Sequence, residues 1–300
     1  MTQALLFPGQ GSQKVGMVSA LYQENASVHE VFNRASQIVG WDMASLVFEG
    51  PMEKLTQTEF AQPALLTASY VLLNHHLHRA QKAIGDVCSH VAGHSLGEYS
   101  ALVAAGAIDF EDALAVVAHR GRLMRDAMTP GEGSMIAVIG LSADDLEPHL
   151  NPAITFHIAN DNGAGQVVLS GLSTYQEDMI TLAKSLGAKK CIPLSVSGAF
   201  HSPYMQKAAD QLADVLNKTT FRKPHVPIVM NVAAKPVDNP SDIKDLLIQQ
   251  VCGRVRWRES ILKLTELATH TFTEVGPGQV LTGLGKRIAP DVTHQSLNLD

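Results

Sequence analysis

The chain has 300 residues, 45% of them apolar and 17% charged, with a formal net charge of −6 at neutral pH. That length and balance describe a globular protein with room for one large domain or two smaller ones, not a disordered or fibrous chain. The acidic surplus argues against a general nucleic-acid binder, and no run approaches the roughly 18 apolar residues of a membrane span. The first residues lack the basic stretch and long apolar run of a secretory signal, so none is expected. Cys88, Cys191 and Cys252 are far apart and odd in number, which suggests reduced thiols and a cytoplasmic setting.

In chain order, residues 4–7 read as a short buried strand stopped by Pro8 and Gly9. Residues 63–80 read as a long helix, and residues 90–92 as a second short strand. Asp109 reads as the N-cap of a helix running to about residue 128, with Asp112 at its third position. Residues 129–133, Thr-Pro-Gly-Glu-Gly, make a hinge. Beyond it the rhythm changes. Residues 135–139 read as a strand, and Ser142 caps a short helix to residue 150. Two more strands follow at 154–159 and 166–169, then a helix over 173–186 and a strand over 191–196. The order βαββαβ is that of a ferredoxin-like unit. From Gly198 the chain returns to helices and short strands such as 227–230. The expected class is therefore α/β, with a large domain in two parts, 1–128 and 198–300, carrying a small inserted domain over 129–197. A cleft between the two is the expected place for a site.

Between the second strand and the next helix stands Gly93-His94-Ser95-Leu96-Gly97-Glu98. Strand, Gly-x-Ser-x-Gly, helix is the layout of a nucleophile elbow, in which glycines allow a turn too sharp for side chains. The turn lifts the Ser95 hydroxyl to a helix N-terminus, where free N–H groups can hold an oxyanion. The competing account is a glycine-rich helix start with a capping serine. A serine hydroxyl needs a base, and of 13 histidines His201 stands out. It lies in Ser197-Gly198-Ala199-Phe200-His201-Ser202-Pro203, where the inserted unit rejoins the main one. His75, His76 and His78 are the densest cluster, but they read as a solvated helix face without a metal-binding pattern. Two glycine-rich stretches, 7–13 and 274–284, fit neither the dinucleotide nor the nucleoside triphosphate fingerprint. No cofactor or metal is expected.

Taken together, Gly9-Gln10-Gly11-Ser12-Gln13, Gly93 to Glu98, Arg120-Gly121 with Met124, Gly198 to Ser202 and Glu274-Val275-Gly276-Pro277-Gly278 closely resemble, in this order, the malonyl-CoA:acyl carrier protein transacylase family. The resemblance covers essentially the whole chain. It implies an α/β-hydrolase-like large domain with a ferredoxin-like small one. It also implies a ping-pong acyl transfer from malonyl-CoA to a phosphopantetheinylated acyl carrier protein, supplying fatty acid synthesis. By the same resemblance Ser95 is the nucleophile and His201 the base, working as a dyad without an acidic third member. Gln10 and Leu96 supply the oxyanion-hole N–H groups, and Arg120 binds the malonyl carboxylate. Met124, Phe200, Gln250 and Asn160 contact substrate, and the Gln250 carbonyl orients the histidine. One departure is Arg254, where the family commonly has proline. Two other readings stand beside this one: a serine thioesterase or esterase on the same elbow, and an inactive carrier-docking module. Lys189, Lys190, Lys286, Arg287 and Arg254, Arg256 and Arg258, whose alternation would place them on one side of a strand, are candidates for steering an acidic carrier, with a solvated edge as the competing account of the three.

Overall fold

Ala4, Leu5, Leu6 and Phe7 are all buried, because the strand that contains them is covered on both faces. Leu5 and Phe7 join one apolar cluster, while Ala4 and Leu6 join another on the opposite side. This arrangement comes from a computed structural model, which describes residues 2–150 and 156–297. Its strands are β1 (Thr2–Phe7), β2 (His90–Gly93), β3 (Gly133–Ile139), β4 (Phe156–Asp161) and β5 (Gln166–Leu172). They continue with β6 (Lys190–Pro193), β7 (Ile228–Met230), β8 (Lys235–Val237), β9 (Thr269–Glu274) and β10 (Thr293–Ser296).

Six strands form one sheet in the order β10-β9-β1-β2-β7-β8, parallel throughout except for β7 against β8. The other four form a separate, wholly antiparallel sheet in the order β4-β5-β3-β6. In chain order that is second, third, first, fourth, which is how a βαββαβ unit folds back on itself. One face of the small sheet is closed by its own helices through Ile136, Val138, Phe156, Leu169 and Met179. The alternate residues Met135, Ala137 and Val168 point the other way, over the ends of β1 and β2, and line the cleft there.

Several local expectations need correction. The long helix spans Thr58–Ala80 and contains Pro63 rather than starting at it. A proline this near the N-terminus forfeits only one backbone bond, so it does not mark the boundary. Asp109 does occupy the N-cap of the Phe110–Asp126 helix, but its carboxylate does not cap. It takes two hydrogen bonds from Arg222, at 2.8 and 2.7 Å. The strand expected at 191–196 stops at Pro193. Of the strand expected at 154–159, Ile154 and Thr155 lie outside the described residues, and β4 continues to Asp161. The alternating arginines do not lie on a strand. Only Val255 bridges to Asn160, and Arg258 is already inside the Trp257–Glu266 helix. Each is paired with an acid: Arg254 with Glu147 at 3.2 Å, Arg256 with Glu259 at 3.2 Å, and Arg258 with Asp161 at 2.9 Å.

The elbow is fixed by close packing of backbone on backbone. β1 and β2 pair up to Phe7 and Gly93, and the His94 N–H then donates to the Phe7 carbonyl at 2.9 Å. A Cβ on Gly97 would lie 2.1 Å from that carbonyl oxygen, and one on Gly93 would lie 1.9 Å from the Gly97 carbonyl. Neither neighbour is a side chain that could swing aside. Gly97→Ala should therefore destabilise the fold by about 3 kcal/mol or more, seen as a drop of several degrees in Tm. Gly283→Ala, inside the Val280–Ile288 helix and with its added methyl meeting nothing within 4 Å, should hold Tm or raise it by a few degrees. Equal melting of the two variants would show that the elbow tolerates a side chain.

Candidate active site

Ser95 follows directly from that packing. Its backbone is held at φ 51°, in the left-handed region, between the end of β2 and the Gly97–Ala104 helix. Such a conformation costs a non-glycine residue free energy and persists only where the surroundings enforce it. Here both of its backbone polar groups are gripped by side chains. The Ser95 N–H donates to Asn231 Oδ1 at 2.8 Å, and the Ser95 carbonyl accepts from Gln250 Nε2 at 2.8 Å. Asn231 is itself tied to the strand end, donating to the Gly93 carbonyl at 2.6 Å.

His201 arrives from the far side, also with a positive φ, of 56°. Its Nε2 lies 2.8 Å from Ser95 Oγ, and its Nδ1 lies 2.8 Å from the Gln250 carbonyl oxygen. A carbonyl can only accept, so Nδ1 carries the proton and Nε2 presents a lone pair to the hydroxyl. The ring is buried. Desolvation first, and then the Arg120 cation, pull its pKa down to about 3. It is a neutral base at physiological pH. The third group is Arg120, only 1% exposed. It donates to Gln62 Oε1 at 2.7 Å, to Gln250 Oε1 at 2.8 Å and, more weakly, to Ser95 Oγ at 3.2 Å. Its Nε–H is buried and meets no acceptor among the described residues. The guanidinium also stands 5.8 Å from the Tyr99 ring centroid, a cation–π distance.

These groups open on a cleft of about 230 Å³. Gln10, Ser95, Leu96, Arg120, Met124, Phe200 and His201 line it from below, with Asn160 and the open face of the small sheet above. The loop carrying Gln10 packs against the elbow, since a Cβ on Gly9 would sit 2.4 Å from the His94 carbonyl oxygen, and Gln10 and Leu96 both line the cleft. Among the described residues neither the Gln10 nor the Leu96 backbone N–H donates to another backbone group outside regular elements. The Gln10 side chain turns away to the Thr56 carbonyl and the Thr58 hydroxyl. Asn160 Nδ2 sits 3.4 Å from His94 Nε2, which in turn lies 2.8 Å from Asn162 Oδ1. The structure thus brings eight of the nine residues picked out from the sequence around one cleft. The ninth, Gln250, is fully buried behind Ser95 and His201 and does not face the cleft.

Three participants have no counterpart in the sequence reading: Gln62, Asn231 and Glu98. Glu98 is wholly buried, and its two oxygens accept from the Asn231 N–H at 2.5 Å and from Gln250 Nε2 at 2.6 Å. Burial raises its pKa, while those hydrogen bonds and the nearby Arg120 charge oppose the rise. Because both partners can only donate here, neither oxygen has an acceptor for a proton, and the geometry is that of the carboxylate. The available signal was a single carboxylate in a helix whose other residues are mostly small or apolar.

A hydroxyl on a neutral base, two backbone donors beside it and a fixed cation within reach suit the attack of Ser95 on an acyl group that carries its own negative charge. Residues 4–293 match the family model of the acyl transferase domain. The malonyl CoA-acyl carrier protein transacylase of Bacillus subtilis is 44% identical over 290 residues, 95% of this chain and 90% of that protein. Among solved structures, the acyl-carrier-protein-S-malonyltransferase of Bartonella henselae superposes with a TM-score of 0.95 at 39% identity, covering 99% of this chain and 96% of that one. A malonyl-transacylase in complex with its type II PKS acyl-carrier protein superposes with a TM-score of 0.94, again at 39% identity and with coverage of 99% and 96%.

The His201 ring should stay neutral, with its proton on Nδ1, from about pH 8 to about pH 5, where a free imidazole is almost wholly protonated. Nitrogen NMR of the side chain reads this directly. The lowered pKa means that the neutral ring favours the folded state fully above about pH 6.5, and that this contribution is lost as pH falls toward 3. Titration near pH 6.5 would mean that water shares the site.

Proposed function

Because the chain belongs to the acyl transferase domain family, and within it to the malonyl CoA-acyl carrier protein transacylases, we infer that it moves a malonyl group from malonyl-CoA to the phosphopantetheine thiol of an acyl carrier protein. The observation that carries this reading is the position of Arg120. Its Nη2 lies 3.2 Å from the Ser95 oxygen, so the cation can reach the far end only of a very short acyl group. A malonyl unit on Ser95 puts its carboxylate there.

In the first half-reaction Ser95 Oγ attacks the thioester carbonyl while His201 Nε2 takes the hydroxyl proton. The carbonyl oxygen becomes an oxyanion held by the Gln10 and Leu96 N–H groups. When the tetrahedral adduct collapses, the carbon–sulfur bond breaks, the CoA thiolate leaves with the proton from His201, and malonyl remains as a serine ester. The carrier thiol then gives its proton to His201 and attacks the same carbonyl. The ester bond breaks, and Ser95 recovers its proton. Through both halves Arg120 grips the malonyl carboxylate, for which its planar fork and unpaired Nε–H are suited. Met124 and Phe200 bound the acyl end, and the bulk of Phe200 disfavours a branched methylmalonyl unit. Asn160 stands over the thioester from the small sheet.

The esterase reading finds less support, since His201 Nδ1 faces a backbone carbonyl where such enzymes usually place a carboxylate. Three unpaired cysteines favour a cytoplasmic setting, and no described helix is long and apolar enough to cross a membrane. With the three alternating arginines engaged in ion pairs, Lys189, Lys190, Lys286 and Arg287 are the remaining candidates for steering an acidic carrier, and all four are exposed.

Incubation with malonyl-CoA, quenching and peptide mass analysis should place a malonyl group on Ser95. Ser95→Ala should carry none, and full transfer by that variant would sink the assignment. Charge-assisted hydrogen bonds contribute about 1.5–3 kcal/mol, so Arg120→Ala should lower the malonyl-to-acetyl ratio of kcat/KM by roughly 10–150-fold. An unchanged ratio would make Arg120 structural.

A further inference from the structure

A carboxylate with no exposed surface is an expensive thing to keep next to a reacting serine. Glu98 has no direct ion pair among the described residues. Its oxygens are instead divided between two amides, and each amide continues to the reacting groups. On one side Oε1 accepts from the Asn231 N–H, and the Asn231 side chain holds both the Ser95 N–H and the Gly93 carbonyl. On the other side Oε2 accepts from Gln250 Nε2, the same group that holds the Ser95 carbonyl. Gln250 then offers its backbone oxygen to His201 Nδ1 and its side-chain oxygen to Arg120 Nη2. The nucleophile, its base and the cation are each one residue removed from a single carboxylate.

We propose that Glu98 is the positioning residue of the acyl transfer: through Asn231 and Gln250 its two oxygens set the places of Ser95, His201 and Arg120 together. The proposal rests on the transacylase reading above. An anion suits this post because both of its partners must donate. An amide in its place would accept from one partner and point its own N–H toward the other, so one arm of the network would release. Glu98 also faces the guanidinium across the Gln250 amide. It therefore supplies a negative charge to the buried cation without occupying the donors that face the cleft. The strained φ of Ser95 is then held from both its N–H and its carbonyl side by clamps with a common base.

The test uses pre-steady-state malonylation and acetylation of Ser95 in the whole enzyme, normalised to folded protein by circular dichroism. Misplacement on the ångström scale costs up to about 100-fold. Glu98→Gln should accordingly lower the acylation rate by roughly 30-fold while KM for malonyl-CoA moves less than about threefold. Because Gln250 also holds Arg120, the malonyl-to-acetyl ratio should fall at least about fivefold, a change that a merely structural role would not produce. Asn231→Ala cuts only the serine arm. It should slow both acyl groups alike and leave the ratio unchanged, and it keeps the proposal testable if Glu98→Gln fails to fold. Glu98→Gln within about twofold of wild type, or Asn231→Ala at wild-type rate, would overturn the proposal. Absence of malonylation in the wild-type enzyme would instead overturn the transacylase reading itself.

Discussion

The whole arrangement depends on how closely β1 and β2 approach each other at their carboxyl ends. The Phe7 carbonyl, the Gly93 backbone and the Gly97 backbone occupy space that any side chain would need. That contact sets the elbow, the elbow sets the left-handed Ser95, and Ser95 then requires partners for both its N–H and its carbonyl. Asn231 comes from the residue just after β7, the next strand of the same sheet, and Gln250 from the last turn of the Pro240–Cys252 helix. The parallel sheet is thus both core and ruler: neighbouring strands end where their next residues can hold the nucleophile.

Desolvation does the remaining electrostatic work. His201, Arg120 and Glu98 are all buried, and burial opposes the charged form of each. The histidine responds by staying neutral, which a base needs. Arginine cannot shed its proton at physiological pH, so it must find acceptors; two glutamine oxygens serve, and its Nε–H meets none among the described residues. Neutral amide oxygens bind the cation without neutralising it. A carboxylate directly upon it would have competed with the acyl group for the same donors.

Much of this was legible in the sequence because it is local. The Gly-x-Ser-x-Gly turn, the change of rhythm after residue 133 and the histidine at the return junction each depend on neighbours a few residues apart. The resemblance supplied the roles of Arg120 and Gln250. What escaped was long-range pairing. Asp109 has the right position and residue type for a cap, but Arg222, more than 100 residues away, takes its carboxylate. The arginines at 254, 256 and 258 alternate as on a strand, yet a helix begins at Trp257, and distant acids, Glu147 and Asp161, claim Arg254 and Arg258. Glu98 was in plain view inside the motif. Its meaning depends on Asn231 and Gln250, which only the folded sheet brings to it.

The small antiparallel sheet covers the cleft with a face that makes no covalent step. Its contribution there is mostly apolar, through Met135, Ala137 and Val168, and the chain that forms it leaves and rejoins the large sheet once. Floor and roof are consequently separable. A substitution in the floor alters the groups around Ser95 themselves. A substitution in the roof reshapes the space above them and leaves their hydrogen bonds in place. The dimensions of the chamber can thus be changed without rebuilding the chemistry beneath it.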